Sequence, residues 1–150
     1  MKKYIYLMIA VFALCLVNVA CSSDDEDENI NYSSSAEVGS AGTYSGTWTR
    51  LYNGETTTYS GTITMAASGT TGVSTLTATC ADVDINITAP VNIAHANYGY
   101  SFVNNLATVF GTNGIAGHIT DTDILTASFT LSQKVGKKNY EFIYSFEGKK

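Results

Sequence analysis

Residues 43–64 read TYSGTWTRLYNGETTTYSGTIT, and the reading of this stretch decides the fold. TYSGTWT at 43–49 returns as TYSGTIT at 58–64, with Asn53-Gly54 between the two copies. Asn-Gly is the strongest short signal for a two-residue type I′ hairpin, because both central positions of that turn need positive φ. With Tyr52 opposite Glu55, Trp48 faces Tyr59, Gly46 faces Gly61 and Tyr44 faces Ile63. Large apolar residues then share one side of the hairpin, and threonines and serines the other. A slip of one residue would turn this whole set to the wrong face. The repeat is thus the two arms of one hairpin.

Alternation of this kind continues along the chain. Thr and β-branched residues abound, Pro occurs once, at Pro90, and no stretch sustains an apolar period of 3.6. Strands are expected near 43–52, 56–66, 73–80, 83–89, 99–104, 115–120, 124–133 and 139–147, forming antiparallel sheet with one wet face. Turn chemistry separates them at Asn53-Gly54, Ser68-Gly69 with Gly72, Gly111–Gly114 and Val135-Gly136-Lys137. In the last hairpin Leu125, Ala127, Phe129 and Leu131 share a face with Tyr140, Phe142, Tyr144 and Phe146. A sheet running from Tyr44 to Phe146 would leave two long edges unless it closed on itself. Glycine inside a strand costs roughly 0.5–1 kcal/mol relative to alanine, so the facing pair Gly46 and Gly61 needs a reason. One is a bend that lets the wall curl shut; the other is room for a ligand beside Trp48 and Tyr59.

The two ends of the chain carry different information. Lys2 and Lys3 precede an apolar run from Tyr4 to Val17, and Val17-Asn18-Val19-Ala20 leads into Cys21. Small residues before a cysteine that ends such a run read as a lipoprotein processing site, with Cys21 lipidated and the chain anchored to membrane through it. A transmembrane anchor would need about 20 apolar residues, and Asn18 interrupts the run. Asn18 is also a poor residue for ordinary secretory cleavage after Ala20. The expected organisation is a signal peptide at 1–20, an acidic tether at 21–36 and one domain at 37–150. The acidic run from Asp24 to Glu28 is a self-repelling tether that does not fold. The domain itself carries eight acidic and six basic side chains, without the basic stripe that nucleic-acid binding requires. Cys15 leaves with the signal and Cys21 carries lipid, so Cys80 has no disulfide partner in the mature domain. Its alternation with Leu76 and Ala78 points to a buried apolar role.

These residues resemble a family. The opening Gly42–Thr49, the Asn-Gly turn, the Tyr-x-Gly-x-Ile strand and the ending from Phe142 to Lys149 look like calycin-like β-barrel lipoproteins of Bacteroides and relatives. The resemblance spans roughly residues 40–150, and Ala89–Gly114 follows the pattern least. Gly46-Thr47-Trp48 also echoes the Gly-x-Trp opening of lipocalins. The Ser/Asp/Glu run after Cys21 is similar to the surface-export signal of Bacteroidota lipoproteins. What the resemblance implies is an all-β, up-and-down barrel of about eight strands, lipid-anchored at the outer membrane and exposed at the cell surface. It implies no established activity.

Candidates for chemistry are few. His118 with Asp121 and Asp123 is the best constellation, although Asp-Thr-Asp before a strand is usually a turn whose carboxylates cap backbone N–H groups. His95 lies in an expected loop, IAHANYGY. Asp82 and Asp84 would share the wet face of a strand. No phosphate-cradling loop or nucleophile ordering is present, so neither catalytic residues nor a metal or other cofactor is expected. Binding remains. Small barrels either fill their interior with side chains or hold one small ligand. Tyr44, Trp48, Tyr59, Phe129, Tyr140, Phe142 and Tyr144 are the candidate contacts for a small hydrophobic or amphipathic ligand. In the alternative, the interior is solid and the exterior meets an outer-membrane protein partner, through Tyr98, Gly99, Tyr100 and the 104–114 loop.

Overall fold

A computed structural model describes residues 34–105 and 114–150. The expected signal peptide, Cys21 and all but the end of the tether lie outside the described residues. Eight antiparallel strands form one closed barrel in chain order: β1 (Gly42–Tyr52), β2 (Glu55–Ala67), β3 (Val73–Cys80), β4 (Ile85–Ala96), β5 (Gly99–Asn104), β6 (Ile115–Thr120), β7 (Ile124–Val135) and β8 (Lys138–Lys149). The first hairpin has the expected register, with Tyr52 opposite Glu55, Trp48 opposite Tyr59, Gly46 opposite Gly61 and Tyr44 opposite Ile63. Asn53 and Gly54 both have positive φ, at 50° and 83°, as the turn requires.

Closure is made by β8, which returns to β1 and sets Phe146 against Trp48 and Gly148 against Gly46. Gly46, Gly61 and Gly148 therefore lie side by side across three strands. A Cβ on Gly46 would collide with the backbone of Glu147 and Gly148, so the bare backbone is what lets β1 and β8 approach at the seam. The inward rows bury Trp48, Tyr44, Ile63, Met65, Leu76, Ile119, Leu125 and Tyr144 almost completely. Cys80 is buried there too, as its alternation suggests. Outside, the first four strands present threonines in register, and Thr43–Thr64 and Thr77–Thr88 are joined by hydroxyl hydrogen bonds of 3.0 and 3.1 Å.

The two ends of the barrel differ. At one end the short helix α1 (Ala36–Gly39) covers the opening. Ala36, counted in the tether, is buried with the domain, as is Glu37. Tyr44 donates its hydroxyl to Ser40 O at 2.8 Å, and Glu37 Oε2 accepts from Gly72 N at 3.0 Å. At the opposite end, which carries the Asn53-Gly54 and Gly136-Lys137 turns, the inward-facing Tyr52, Tyr59 and Tyr140 are only partly buried, and this end is the mouth.

Three expectations fail. The strand expected at 83–89 runs instead from Ile85 to Ala96, because a 3-10 turn at Ala81–Val83 ends in Asp84 at φ 55°. Asp82 and Asp84 thus lie in a connection rather than on a strand face, Asp being a residue that tolerates left-handed backbone. His95 is not in a loop: it pairs with Tyr100 beside the tight turn Asn97-Tyr98. Pro90 sits within β4, where its carbonyl accepts from the Asn104 side chain on the β5 side. Pro90 stands opposite Thr75 of β3, but its carbonyl, and with it the place of its missing N–H, faces the β5 side, where β5 pairs β4 only from Asn92 onward. The missing N–H thus falls where no ladder bond is lost.

Candidate functional site

Alternation along β1 sends Tyr44, Gly46, Trp48, Arg50 and Tyr52 inward in turn, from the covered end to the mouth. Tyr44 lies deep beneath α1, and burial pushes its hydroxyl up to about 12. Trp48 forms the next layer. Its indole crosses β2 over Gly61, where a Cβ would stand 2.5 Å from Trp48 Cδ1, and Nε1 donates to Thr79 O on β3 at 3.0 Å. Phe129 meets the indole edge-on with centroids 5.7 Å apart, and Phe146 lies 4.9 Å away on the seam. The room left by Gly61 is therefore occupied by the tryptophan of the same hairpin.

Above this floor the rings are partly open to solvent. Tyr52 stacks on Phe142 at 4.8 Å and meets Tyr140 edge-on at 5.6 Å. Tyr59, Tyr140, Leu131, Val83 and Ile87 are only partly buried against the core. Arg50 stands among them, its guanidinium carbon 5.4 Å from the Tyr59 centroid and 5.6 Å from that of Phe142. Such stacking is worth about 0.5–1 kcal/mol at exposed sites and more when desolvated. Tyr144 pairs with Arg50 across the seam and stacks on Phe129 at 5.4 Å. The Tyr144 hydroxyl is fully buried and makes no hydrogen bond of good geometry, the Arg50 side chain being its near neighbour. Leaving such a group unsatisfied costs roughly 1–3 kcal/mol. Burial pushes the Tyr144 hydroxyl up, and the charge and hydrogen bonding of the Arg50 side chain pull the other way.

Of the seven expected contacts, Tyr59 and Tyr140 are partly exposed, whereas Phe142, Trp48, Phe129, Tyr144 and Tyr44 are buried, Tyr44 at the covered end. Arg50 and Tyr52 were missed, although continuing the alternation two and four residues beyond Trp48 places both inside.

The other candidates disperse. His118 is on β6 with its ring nitrogen 3.4 Å from Ser101 Oγ, while Asp121 and Asp123 lie in the following turn. There Thr120 Oγ1, not a carboxylate, accepts from Ile124 N at 3.1 Å. Among the described residues no group of three His, Cys, Asp or Glu side chains could hold a metal ion. Tyr98 is 74% exposed, but Gly99 is buried, and residues 106–113 of the expected contact loop lie outside the described residues. A recess of about 330 Å³ between Pro90, Asn92, Val103, Asn104 and Asn105 lies on the flank of β4 and β5 rather than in the mouth. The chain is, by fold, a closed eight-stranded up-and-down β-barrel with a buried aromatic cluster. No family model matches it, and neither does any curated protein or solved structure.

Proposed function

We propose that this protein is a non-enzymatic β-barrel lipoprotein, held on the outer membrane by lipid on Cys21 and exposed at the cell surface, whose mouth binds a small hydrophobic or amphipathic ligand. The observation that carries the binding reading is the asymmetry of the aromatic column. Its lower rings are sealed, while Tyr52, Tyr59 and Tyr140 at the mouth stay partly exposed around a packed floor. Apolar rings left open at one end of a closed barrel suit a ligand that buries them. The lipidation reading rests on the apolar run before Cys21 and the acidic run after it.

Titration of the full mature chain with N-phenylnaphthylamine, a neutral fluorophore, tests the mouth. Saturable fluorescence enhancement is expected, and it should be lost when Tyr59 and Tyr140 are both changed to Ser. A folded double variant that binds the dye unchanged would move the site elsewhere. Metabolic labelling with palmitate should mark the wild type and not Cys21→Ala, and equal labelling of both would remove the anchor assignment. The filled floor favours a second reading, in which the barrel is an accessory subunit acting through its exterior. A membrane pull-down that recovers a stoichiometric protein partner, with no dye binding, would select it.

A further inference from the structure

Resting on the mouth reading above, we propose that the mouth receives its ligand head-first and that the head is a carboxylate, held by the Arg50 guanidinium and the Tyr144 hydroxyl. Among the described inward-facing strand residues the charged ones are Arg50, Glu55 and Lys138. Glu55 and Lys138 are exposed at the rim, one of each sign. Arg50 lies one layer deeper, partly buried, and makes no ion pair with a described residue. A partly desolvated guanidinium surrounded by rings attracts an anion, and its planar fork fits a carboxylate with two parallel N–H donors.

Directly across the seam stands a second polar group. Tyr144 is 0% exposed, its ladder position is opposite Arg50, and its buried hydroxyl has the Arg50 side chain as its hydrogen-bonding neighbour. A hydroxyl can donate to the oxygen that the guanidinium leaves free. The two donors come from opposed positions on adjacent strands, one charged and one neutral. That set suits a monoanion; a phosphate monoester, with about two charges, calls for a second cation beside the first. Tyr52, Tyr59, Tyr140 and Phe142 would then flank the apolar part of the ligand, which points outward to solvent. The ligand class is a monocarboxylic amphiphile.

Calorimetry on the full mature chain tests this with dodecanoate, dodecanol and dodecyl phosphate as probes. Dodecanoate should bind at least about tenfold more tightly than dodecanol, the size expected for one charge-assisted hydrogen-bonded pair. Arg50→Gln should bring dodecanoate affinity down to that of dodecanol; Tyr144→Phe should remove part of the preference. Arg50→Lys, which keeps the charge but not the fork, should fall between, and circular dichroism should show all three variants folded. Equal binding of dodecanoate and dodecanol, unchanged by Arg50→Gln, would overturn the carboxylate site and leave the apolar mouth standing. Tighter binding of dodecyl phosphate would overturn the head-group assignment alone. Binding of none of the three would remove both this proposal and the mouth reading.

Discussion

A Cβ on Gly61 would meet three things at once: Thr79 O, Trp48 Cδ1 and Trp48 Nε1, the last at 2.6 Å. The glycine is needed because the indole lies flat against the strand to reach the Thr79 carbonyl. Gly61→Ala should therefore destabilise the barrel by about 1–3 kcal/mol, the usual cost of overpacking. Urea unfolding measures this, and a change within error of zero would mean that the indole is not seated there. Tyr44 offers a different test. Its hydroxyl is buried and donates to Ser40 O, and its value is raised from 10.0 to about 12. Unfolded tyrosine ionises first as pH rises, so the unfolded state gains between those two values and stability falls. Tyr44→Phe should shallow this alkaline decline while lowering stability near neutrality by about 0.5–1.5 kcal/mol through the lost hydrogen bond. An alkaline limb identical to wild type in a pH series of melts would contradict the assignment. At this scale Gly61 was legible as an anomaly but not as a seat for Trp48, since spacing along two strands does not reveal how a ring lies across them. Arg50 escaped for another reason: a charge in an alternating strand suggests solvent, and only the ring contacts on both sides show otherwise.

At the next scale, four residues of α1 hold one end of the barrel shut through Glu37. The Gly72 N–H bonds its carboxylate, and with help from the Glu37 backbone N–H and the Ser35 side chain this holds it below the ordinary carboxylate value. Because the folded value is depressed, the contribution is complete above the unfolded value and is lost as pH falls through the folded one. Glu37→Gln should shallow the acid limb of stability and speed hydrogen exchange at the Gly72 amide, with little effect on amides at the Asn53-Gly54 turn. Unchanged exchange at Gly72 would show that the helix does not depend on this contact. Elements differ sharply in how far they announce themselves. The first hairpin was readable to the residue because Asn-Gly and a clean alternation are both local signals. The β4–β5 turn was not, since Tyr98 adopts φ 63° without the glycine or asparagine that usually marks such a position. The start of β4 was misread because Ala-Asp-Val-Asp-Ile alternates like a strand while Asp84 turns the chain.

Closure belongs to the molecule as a whole and was inferred only from the cost of leaving edges open. The ladder from Ser45–Lys149 to Leu51–Ile143 confirms it and gives β1 a partner on both sides. The seam is also where the aromatic column is thickest, with Phe146 opposite Trp48 and Tyr144 opposite Arg50. Strands far apart in sequence thus share one set of core contacts, and a defect at the seam should be felt all round the ring. Phe146 is 2% exposed and touches the Trp48 indole, so Phe146→Ala should cost about 3–5 kcal/mol. The distribution of that loss is the informative part. In a single cooperative barrel the slowest-exchanging amides of β4 and β5, on the far side of the ring, lose as much protection as those of β1 and β8. In an open sheet whose ends merely touch, only β1 and β8 would lose protection, while β4 and β5 kept theirs. Native-state hydrogen exchange on Phe146→Ala separates the two, and equal loss around the ring is the result that closure requires.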